Sequence, residues 1–249
     1  MSAHAATFTR PGSPNLGDAR RLMGEMMSTR SASSWPEPPP GDGRPAMLVP
    51  GFLAGDESLS RMARWLRSGG WDTTRSGIQM NVSCMESAIG AIEARLDETV
   101  GRAGRPALLI GQSRGGSFGR VLAVRRPDLV ETLVTLGSPV LDQMAISRST
   151  RGAVTLVGLL GTVGVPGLLG RSCRNGDCCE LARQQLTEPV PGDLRYIAFY
   201  SRQDPIVSWE ACLDPGAELV EVNGTHSGMG VSRTVWERMA KLVPTPVSR

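Results

Sequence analysis

Apolar and polar positions beyond residue 43 alternate between short apolar runs and stretches with helical spacing. The short runs predict strands at Ala46–Val49, Trp71–Ile78, Ala107–Ile110, Thr132–Leu136, Arg195–Tyr200 and Ala217–Val222. The stretches between them predict helices at Asp56–Leu66, with Asp56 as its N-cap, and at Met85–Val100, Gly115–Arg126 and Val231–Leu242. This alternation is typical of βαβ units, so we expect an α/β protein with a mostly parallel central sheet and helices on both faces.

Two segments depart from this rhythm. Residues 1–43 are expected to form a tail, a short helix near Leu16–Met27 and an extended proline-rich linker, which leaves 44–249 as the main domain. Residues 140–192 are too long for an ordinary connection and predict an insertion with helices of its own. Within it, Gly152–Gly170 has 19 residues without a charge. Because six of these are glycine, we expect no stable membrane span.

Composition narrows the classes of function. The chain has 249 residues and a net charge of +3, and all but one of its 27 basic residues are arginine. These arginines are scattered among 24 acidic residues, a distribution that disfavours nucleic-acid binding. The two histidines are His4 and His226. A multi-histidine metal site is therefore excluded, and His226 is left as the candidate general base because His4 lies in the tail.

The cysteines and the first residues predict the compartment. An odd number of cysteines, five, in a chain of this length indicates reduced thiols, and the start of the chain lacks a secretory signal pattern. We therefore expect a cytoplasmic protein. The spacing of Cys173, Cys178 and Cys179 lacks paired C-x₂-C ligands and a nearby histidine, so it disfavours zinc, while a disulfide from Cys173 to one of the other two stays open. Without a dinucleotide-type glycine loop either, we expect no cofactor and no metal.

A G-x-S-x-G sequence at Gly111–Gly115 follows the predicted strand Ala107–Ile110 and precedes a predicted helix. This pattern is typical of a nucleophile elbow, a strained strand-to-helix turn that exposes a serine hydroxyl above the sheet. It makes Ser113 the candidate nucleophile. The alternative is a glycine-rich turn in which Ser113 only caps the following helix.

A serine nucleophile needs a base to remove its proton and an acid to orient that base. His226 lies on the loop after the last predicted strand, and Asp204 lies at the carboxyl end of the strand before it. Their chain order, serine, acid, histidine, is that of the nucleophile-elbow enzymes. Asp214, in a D-P-G turn, and Asp177, in the insertion, are weaker candidates for the acid.

Acyl transfer also requires N–H donors for the oxyanion. One candidate is the backbone N–H of Arg114, directly after the nucleophile. The other is the backbone N–H of Phe52, or that of Leu53, on the loop after the first predicted strand, where Gly51 allows a close approach.

Five segments together resemble the α/β-hydrolase superfamily, most closely its lipase- and esterase-like bacterial members. They are VPGF at 49–52, LLIGQSRGG at 108–116, LVTLGSP at 133–139, SRQDPIV at 201–207 and NGTHSGM at 223–229. The resemblance spans residues 44–243 and implies Ser113 as nucleophile, Asp204 as acid and His226 as base, with Phe52 and Arg114 as oxyanion donors. The sequence departs from the usual pattern at Pro50, where histidine is common, and at Arg114, where Met, Leu or Gln is common.

The resemblance places a cap or lid at the insertion. An apolar, glycine-rich lid over a serine nucleophile suits a small, apolar acyl substrate of lipid-like or polyketide-like character. The primary hypothesis is therefore a serine hydrolase of a carboxylic ester or thioester that works through an acyl-enzyme. An acyltransferase, or a cyclase of natural-product biosynthesis, using the same pocket is the alternative, and a non-enzymatic lipid-binding protein is a third. The oligomeric state is left open.

Overall fold

The computed structural model describes residues 8–9, 11–170, 172–173 and 176–243. Within these residues the sheet has six strands, all parallel, in the order β2-β1-β3-β4-β5-β6. The strands are β1 Pro45–Val49, β2 Asp72–Arg75, β3 Ala107–Gln112, β4 Val130–Leu136, β5 Arg195–Tyr200 and β6 Glu218–Glu221. The predicted α/β class is confirmed, and because every strand runs the same way, the loops that follow the strands all lie at one edge.

Seven α-helices surround the sheet in the described part of the chain. They are α1 Leu16–Ser28, α2 Ser60–Ser68, α3 Met85–Ala103, α4 Arg114–Arg125, α5 Arg148–Thr162, α6 Glu180–Gln185 and α7 Arg233–Leu242. Short 3₁₀ turns lie at Ala32–Ser34, Asp56–Leu59, Asp177–Cys179, Trp209–Cys212 and Ser227–Gly230.

Two hydrophobic layers cover the two faces of the sheet. On one face, Leu109 of β3 packs with α3, α4 and α6. On the other, Leu108 and Ile110 pack with α2 and α7, where Trp65 stacks on Trp236 with ring centroids 4.9 Å apart. Successive strand residues point to opposite faces, so the apolar run of β3 serves both layers.

The predicted N-cap at Asp56 is wrong. Asp56 is the first residue of a 3₁₀ turn capped by Gly55, and α2 begins only at Ser60. The Asp56 carboxylate instead accepts hydrogen bonds from the Ser76 hydroxyl at 2.6 Å and from the Gly77 N–H at 2.9 Å. The carboxylate therefore binds residues about 20 positions away in sequence instead of the N–H groups of the helix that follows it.

The predicted insertion contains helices α5 and α6. Glycines at the end of α5 and after it allow the chain to turn back. Gly164 and Gly167 have positive φ, and a Cβ at Gly161, in the last turn of α5, would lie 2.2 Å from the carbonyl oxygen of Leu169. The chain therefore folds back on α5. Among the described residues, the structure contains no helix with the length and apolar character that crossing a membrane requires.

Candidate active site

Ser113 stands at the turn between β3 and α4, with φ 52° and ψ −125°. A non-glycine residue with positive φ is strained, and such strain is typical of functional sites. The Ser113 N–H donates to the carbonyl oxygen of Leu136 at 2.9 Å, so the neighbouring strand holds the turn in place. This is the geometry that the elbow pattern predicts.

The glycines of the elbow are required by close backbone approaches. A Cβ at Gly111 would lie 2.4 Å from the Gly116 Cα, and one at Gly115 would lie 2.3 Å from the Val49 oxygen. At Gly116 it would lie 1.9 Å from the Ser138 hydroxyl. The Ser113 side chain makes no capping hydrogen bond to α4, which contradicts the alternative of a serine that serves only as a cap.

His226 and Asp204 form a buried pair. The His226 Nδ1 and the Asp204 Oδ2 lie 2.6 Å apart. The other carboxylate oxygen of Asp204 accepts the backbone N–H groups of Ile206 and Val207 at 2.8 and 2.9 Å. A carboxylate held in this way fixes the imidazole tautomer with its proton on Nδ1, which leaves Nε2 as the basic nitrogen.

Gln112, the residue before Ser113, holds the loop that carries His226, here called the histidine loop. The Gln112 Nε2 donates to the backbone oxygens of His226 at 3.0 Å and of Ser227 at 3.4 Å. Gly137, after β4, lies against both the imidazole and the Asp204 carboxylate, and a Cβ there would come within 3.1 Å of Nδ1. Ser113 Oγ makes no hydrogen bond to His226 or to any other described residue. Such catalytic contacts often tighten only when substrate binds.

The N-terminal helix α1 supports the same loop. The Glu25 carboxylate accepts the Thr225 N–H at 3.0 Å and the Thr225 hydroxyl at 2.6 Å. The Thr225 hydroxyl oxygen in turn accepts the Gly228 N–H at 3.1 Å. Side chains at Gly224 or Gly228 would collide with Glu25. The sequence predicted the helix but gave no signal of this contact, because 200 residues separate its partners.

The structure distinguishes the two candidate oxyanion donors on the loop after β1. The Leu53 N–H donates to the Asn81 oxygen at 3.3 Å, so it is already engaged. That leaves the N–H of Phe52 as the better candidate. The other predicted oxyanion donor is the N–H of Arg114. It belongs to the first residue of α4, where the helix offers no backbone acceptor.

The Arg114 side chain links α4 to the segment that supports the loop after β1. Its guanidinium donates to the Asn81 Oδ1 at 2.6 Å and to the Ser83 oxygen at 2.7 Å. The Asn81 amide donates in turn to the Pro50 oxygen at 2.8 Å. Burial lowers the pKa of Arg114 to about 10, although charge interactions with three nearby cysteines oppose the shift. Asn81 is a site residue that sequence reasoning missed.

A cavity of about 380 Å³ opens beside the elbow. Ser113, Phe52 and Arg114 line it, together with residues of α5 and of the segments before and after that helix. Asp204 and His226 do not line this cavity; His226 faces a second one of about 240 Å³, between α1 and the histidine loop. The structure thus brings the five predicted residues to one edge of the sheet in two groups. Ser113 lies with Phe52 and Arg114, and His226 lies with Asp204.

The competing acids are engaged elsewhere. Asp214 forms a buried ion pair with Arg120 at 2.8 Å and accepts the Gly216 N–H in the turn that the sequence predicted. Asp177 begins the 3₁₀ turn Asp177–Cys179. His226 is paired with Asp204, as proposed from chain order.

Four cysteines lie together at the margin of the cavity beside the elbow. The sulfur atoms of Cys84, Cys173, Cys178 and Cys179 all lie within 4.8 Å of one another, and all are free thiols. Partial desolvation of its sulfur, together with hydrogen bonds to the neighbouring thiols, raises the pKa of the Cys178 thiol to about 12, although the residue as a whole is exposed. The sequence pattern of the last three gave no indication that Cys84 joins them.

Comparisons with known proteins identify the fold. No known family profile matches the sequence, and no curated protein matches it. Among solved structures, the chain is similar to the Bacillus licheniformis lipase BlEst2 in mature form, with a TM-score of 0.58, 16% identity, and coverage of 79% of this chain and 90% of that one. A soluble variant of the monoglyceride lipase of Saccharomyces cerevisiae gives a TM-score of 0.58 at 14% identity, covering 81% and 86%.

A third similar structure is the thioesterase domain from the curacin biosynthetic pathway. It gives a TM-score of 0.51 at 12% identity and covers 81% of this chain and 90% of that one. The all-parallel sheet, the elbow at its edge and these likenesses together define an α/β-hydrolase fold, as the sequence resemblance implied.

Proposed function

We propose that this protein is a serine hydrolase that cleaves a carboxylic ester or thioester of an apolar acyl group. The observation that carries the proposal is the strained Ser113 elbow on a cavity, combined with the hydrogen-bonded His226–Asp204 pair on the loops beside it. Two of the similar structures reported above are lipases and the third is a thioesterase domain, which supports the same reaction class for this chain.

In the acylation step, His226 Nε2 removes the proton of Ser113 Oγ as that oxygen attacks the substrate carbonyl. The tetrahedral intermediate collapses when the carbon–oxygen or carbon–sulfur bond breaks and the leaving alcohol or thiol takes the proton from His226. Water, deprotonated by the same nitrogen, then attacks the acyl carbon. The bond from that carbon to Ser113 Oγ breaks, Ser113 Oγ takes the proton back from His226, and the acid is released. Asp204, hydrogen-bonded to Nδ1, orients the ring and stabilises the imidazolium.

Negative charge on the tetrahedral oxygen is stabilised by the backbone N–H groups of Phe52 and Arg114. Such donors are effective because they are held in place before the reaction begins. The contacts from Arg114 through Asn81 to Pro50 provide this support here.

The cavity favours an apolar acyl group of modest size. At about 380 Å³ it is near the lower end of the range for small-molecule sites, and most of its lining is apolar. Helix α5 contributes Thr150 and Val154 to the lining, while Leu156 and Leu159 of the same helix are exposed. We propose that α5 and the chain after it act as the lid, which moves when substrate enters.

Covalent labelling with a fluorophosphonate tests the proposal. The wild type is expected to gain one adduct, located at Ser113 by peptide mass spectrometry, and to hydrolyse short and medium nitrophenyl esters. Ser113→Ala should lose both properties, whereas Ser58→Ala, at an exposed serine, should keep both. Absence of labelling in a folded wild-type protein would overturn the proposal.

The same experiment separates the acyltransferase or cyclase alternative. If Ser113 is labelled but simple esters are not hydrolysed, while acyl groups pass to an added or internal hydroxyl, the acceptor is not water. If Ser113 is unlabelled and apolar ligands still bind, the chain is a binding protein.

A further inference from the structure

The four-cysteine cluster joins distant parts of the chain. Cys84 precedes α3, while Cys178 and Cys179 lie in the turn before α6, at the end of the insertion. The Cys84 sulfur lies 3.9 Å from that of Cys178 and 3.4 Å from that of Cys179, and the last two are 3.7 Å apart. Cys173 completes the group within 4.8 Å.

These separations match one tetrahedral metal ion. Zinc–sulfur bonds of about 2.3 Å at tetrahedral angles place the sulfur atoms about 3.8 Å apart. A disulfide would bring one pair of sulfurs to about 2.05 Å and would leave the other two thiols without a role. An iron–sulfur cluster would need the sulfurs further apart, because its own irons and sulfides lie between them.

We propose that Cys84, Cys173, Cys178 and Cys179 bind a single zinc ion. This goes beyond the proposed function, because a site closed by four protein ligands is structural and has no open position for substrate. It also reverses our expectation of no metal, which rested on the three cysteines of the insertion alone.

The surroundings suit a zinc–thiolate centre. Four thiolates and one zinc ion carry a net charge of −2, and two arginines, Arg114 and Arg183, lie close enough to interact with the cysteine charges. Cys84 is the residue directly before α3, and the positive end of a helix dipole at an N-terminus favours a negatively charged thiolate.

The bound ion would fasten the end of the insertion to the start of α3. Ser83, the residue next to Cys84, accepts a hydrogen bond from Arg114, which follows the nucleophile. Cys173 and Cys179 also line the 380 Å³ cavity. Zinc would therefore fix one wall of the cavity and one end of the proposed lid relative to the elbow.

Metal analysis of the full-length protein, purified under reducing conditions, tests the site. We expect about one zinc per chain by elemental mass spectrometry. Replacement of zinc by cobalt should give the sulfur-to-cobalt charge-transfer bands and the intense visible bands of a tetrahedral thiolate site.

The variants are chosen so that the fold persists. Cys178→Ser changes an exposed residue and should lower zinc retention at least tenfold, and Cys84→Ser should do the same. Cys212→Ser, at a buried cysteine outside the cluster, is the matched control and should retain the full equivalent. Circular dichroism verifies that each variant is folded.

Other results would overturn the proposal. One is a folded wild-type protein that neither retains nor takes up zinc under reducing conditions, or that binds iron instead. Another is a Cys84→Ser variant that retains as much zinc as Cys212→Ser. A disulfide within the cluster, found by alkylation of freshly purified protein, would also overturn it. Because the readout is metal content, it is independent of whether Ser113 hydrolyses esters.

Discussion

At the scale of single residues, the backbone of Ser113 combines a chemical requirement with a cost in stability. Positive φ aims its hydroxyl at the cavity, but a residue with a Cβ in that conformation is strained by about 1–3 kcal/mol. Glycine adopts the same conformation with little strain. The elbow is therefore expected to reduce the free energy of unfolding.

Comparing Ser113→Gly with Ser113→Ala isolates that strain. Both variants lack the nucleophile and should be inactive, but the glycine variant should be more stable by about 1 kcal/mol in urea unfolding. The same two replacements at Ser58, which lies in the 3₁₀ turn Asp56–Leu59, should show the reverse order. Equal stability of the two Ser113 variants would contradict the argument.

Asn81 offers a second test at this scale. Asn81→Asp keeps the oxygen that accepts from Arg114. It replaces the amide nitrogen that donates to the Pro50 oxygen with a carboxylate oxygen, which repels that oxygen. We expect kcat for ester hydrolysis to fall about tenfold with little change in KM, because oxyanion donors act in the transition state. Asn223→Asp, at an exposed position, is the control. A change confined to KM would indicate a role in substrate binding instead.

At the scale of elements, α1 is functionally connected to the far end of the chain. Its Glu25 is the acceptor for both polar hydrogens of Thr225, the residue before His226. The glycines at 224 and 228 leave just enough space for this carboxylate. An element that the sequence shows only as a short helix before a linker thus becomes part of the support of the proposed base.

Removing that carboxylate should impair catalysis more than stability. We expect Glu25→Ala to lower kcat about ten- to a hundredfold, since small displacements of a catalytic group have effects of this size. Glu25→Gln, which keeps one acceptor oxygen, should lose less. Steady-state kinetics measures kcat, and thermal unfolding measures stability. Glu37→Ala, at an exposed position, is the control. An unchanged kcat in Glu25→Ala would refute the supporting role.

The elements themselves were largely predictable from sequence. Apolar runs and helical spacing indicated each strand and most helices, because burial on two faces imposes a strong local pattern. Contacts between distant segments left no such pattern. The partner of Glu25, the link from Arg114 to Asn81, and the approach of Cys84 to the insertion all depend on how the sheet orders its strands. Asp56 shows the same limit, since a local cap was expected and a distant partner was found.

At the scale of the whole molecule, a buried ion pair holds α4, the helix that follows Ser113, to the other half of the sheet. Arg120 of α4 pairs with Asp214, before β6, and donates to the backbone oxygens of Gln185 and Glu188. Both charged side chains are only 4% exposed. The guanidinium thus joins α4, the end of the insertion and the last strand connection.

Breaking this pair should destabilise the molecule strongly. Asp214→Ala leaves a buried guanidinium without its counter-charge and should reduce the free energy of unfolding by about 3–5 kcal/mol. Glu218→Ala removes a partner of Arg195 at the exposed surface and should reduce it by about 1 kcal/mol or less. Urea unfolding measures both, and similar values for the two variants would contradict the ranking.

The contact between Glu25 and Thr225 also has a consequence for the order of folding. Its partners are 200 residues apart, so on the ribosome the helix emerges long before the loop that it contacts. Contacts of such long separation form late, after the loops between them have closed. The proposed base therefore reaches its final position only after the histidine loop has docked on α1, and chains that are truncated before Thr225 are expected to lack a competent site.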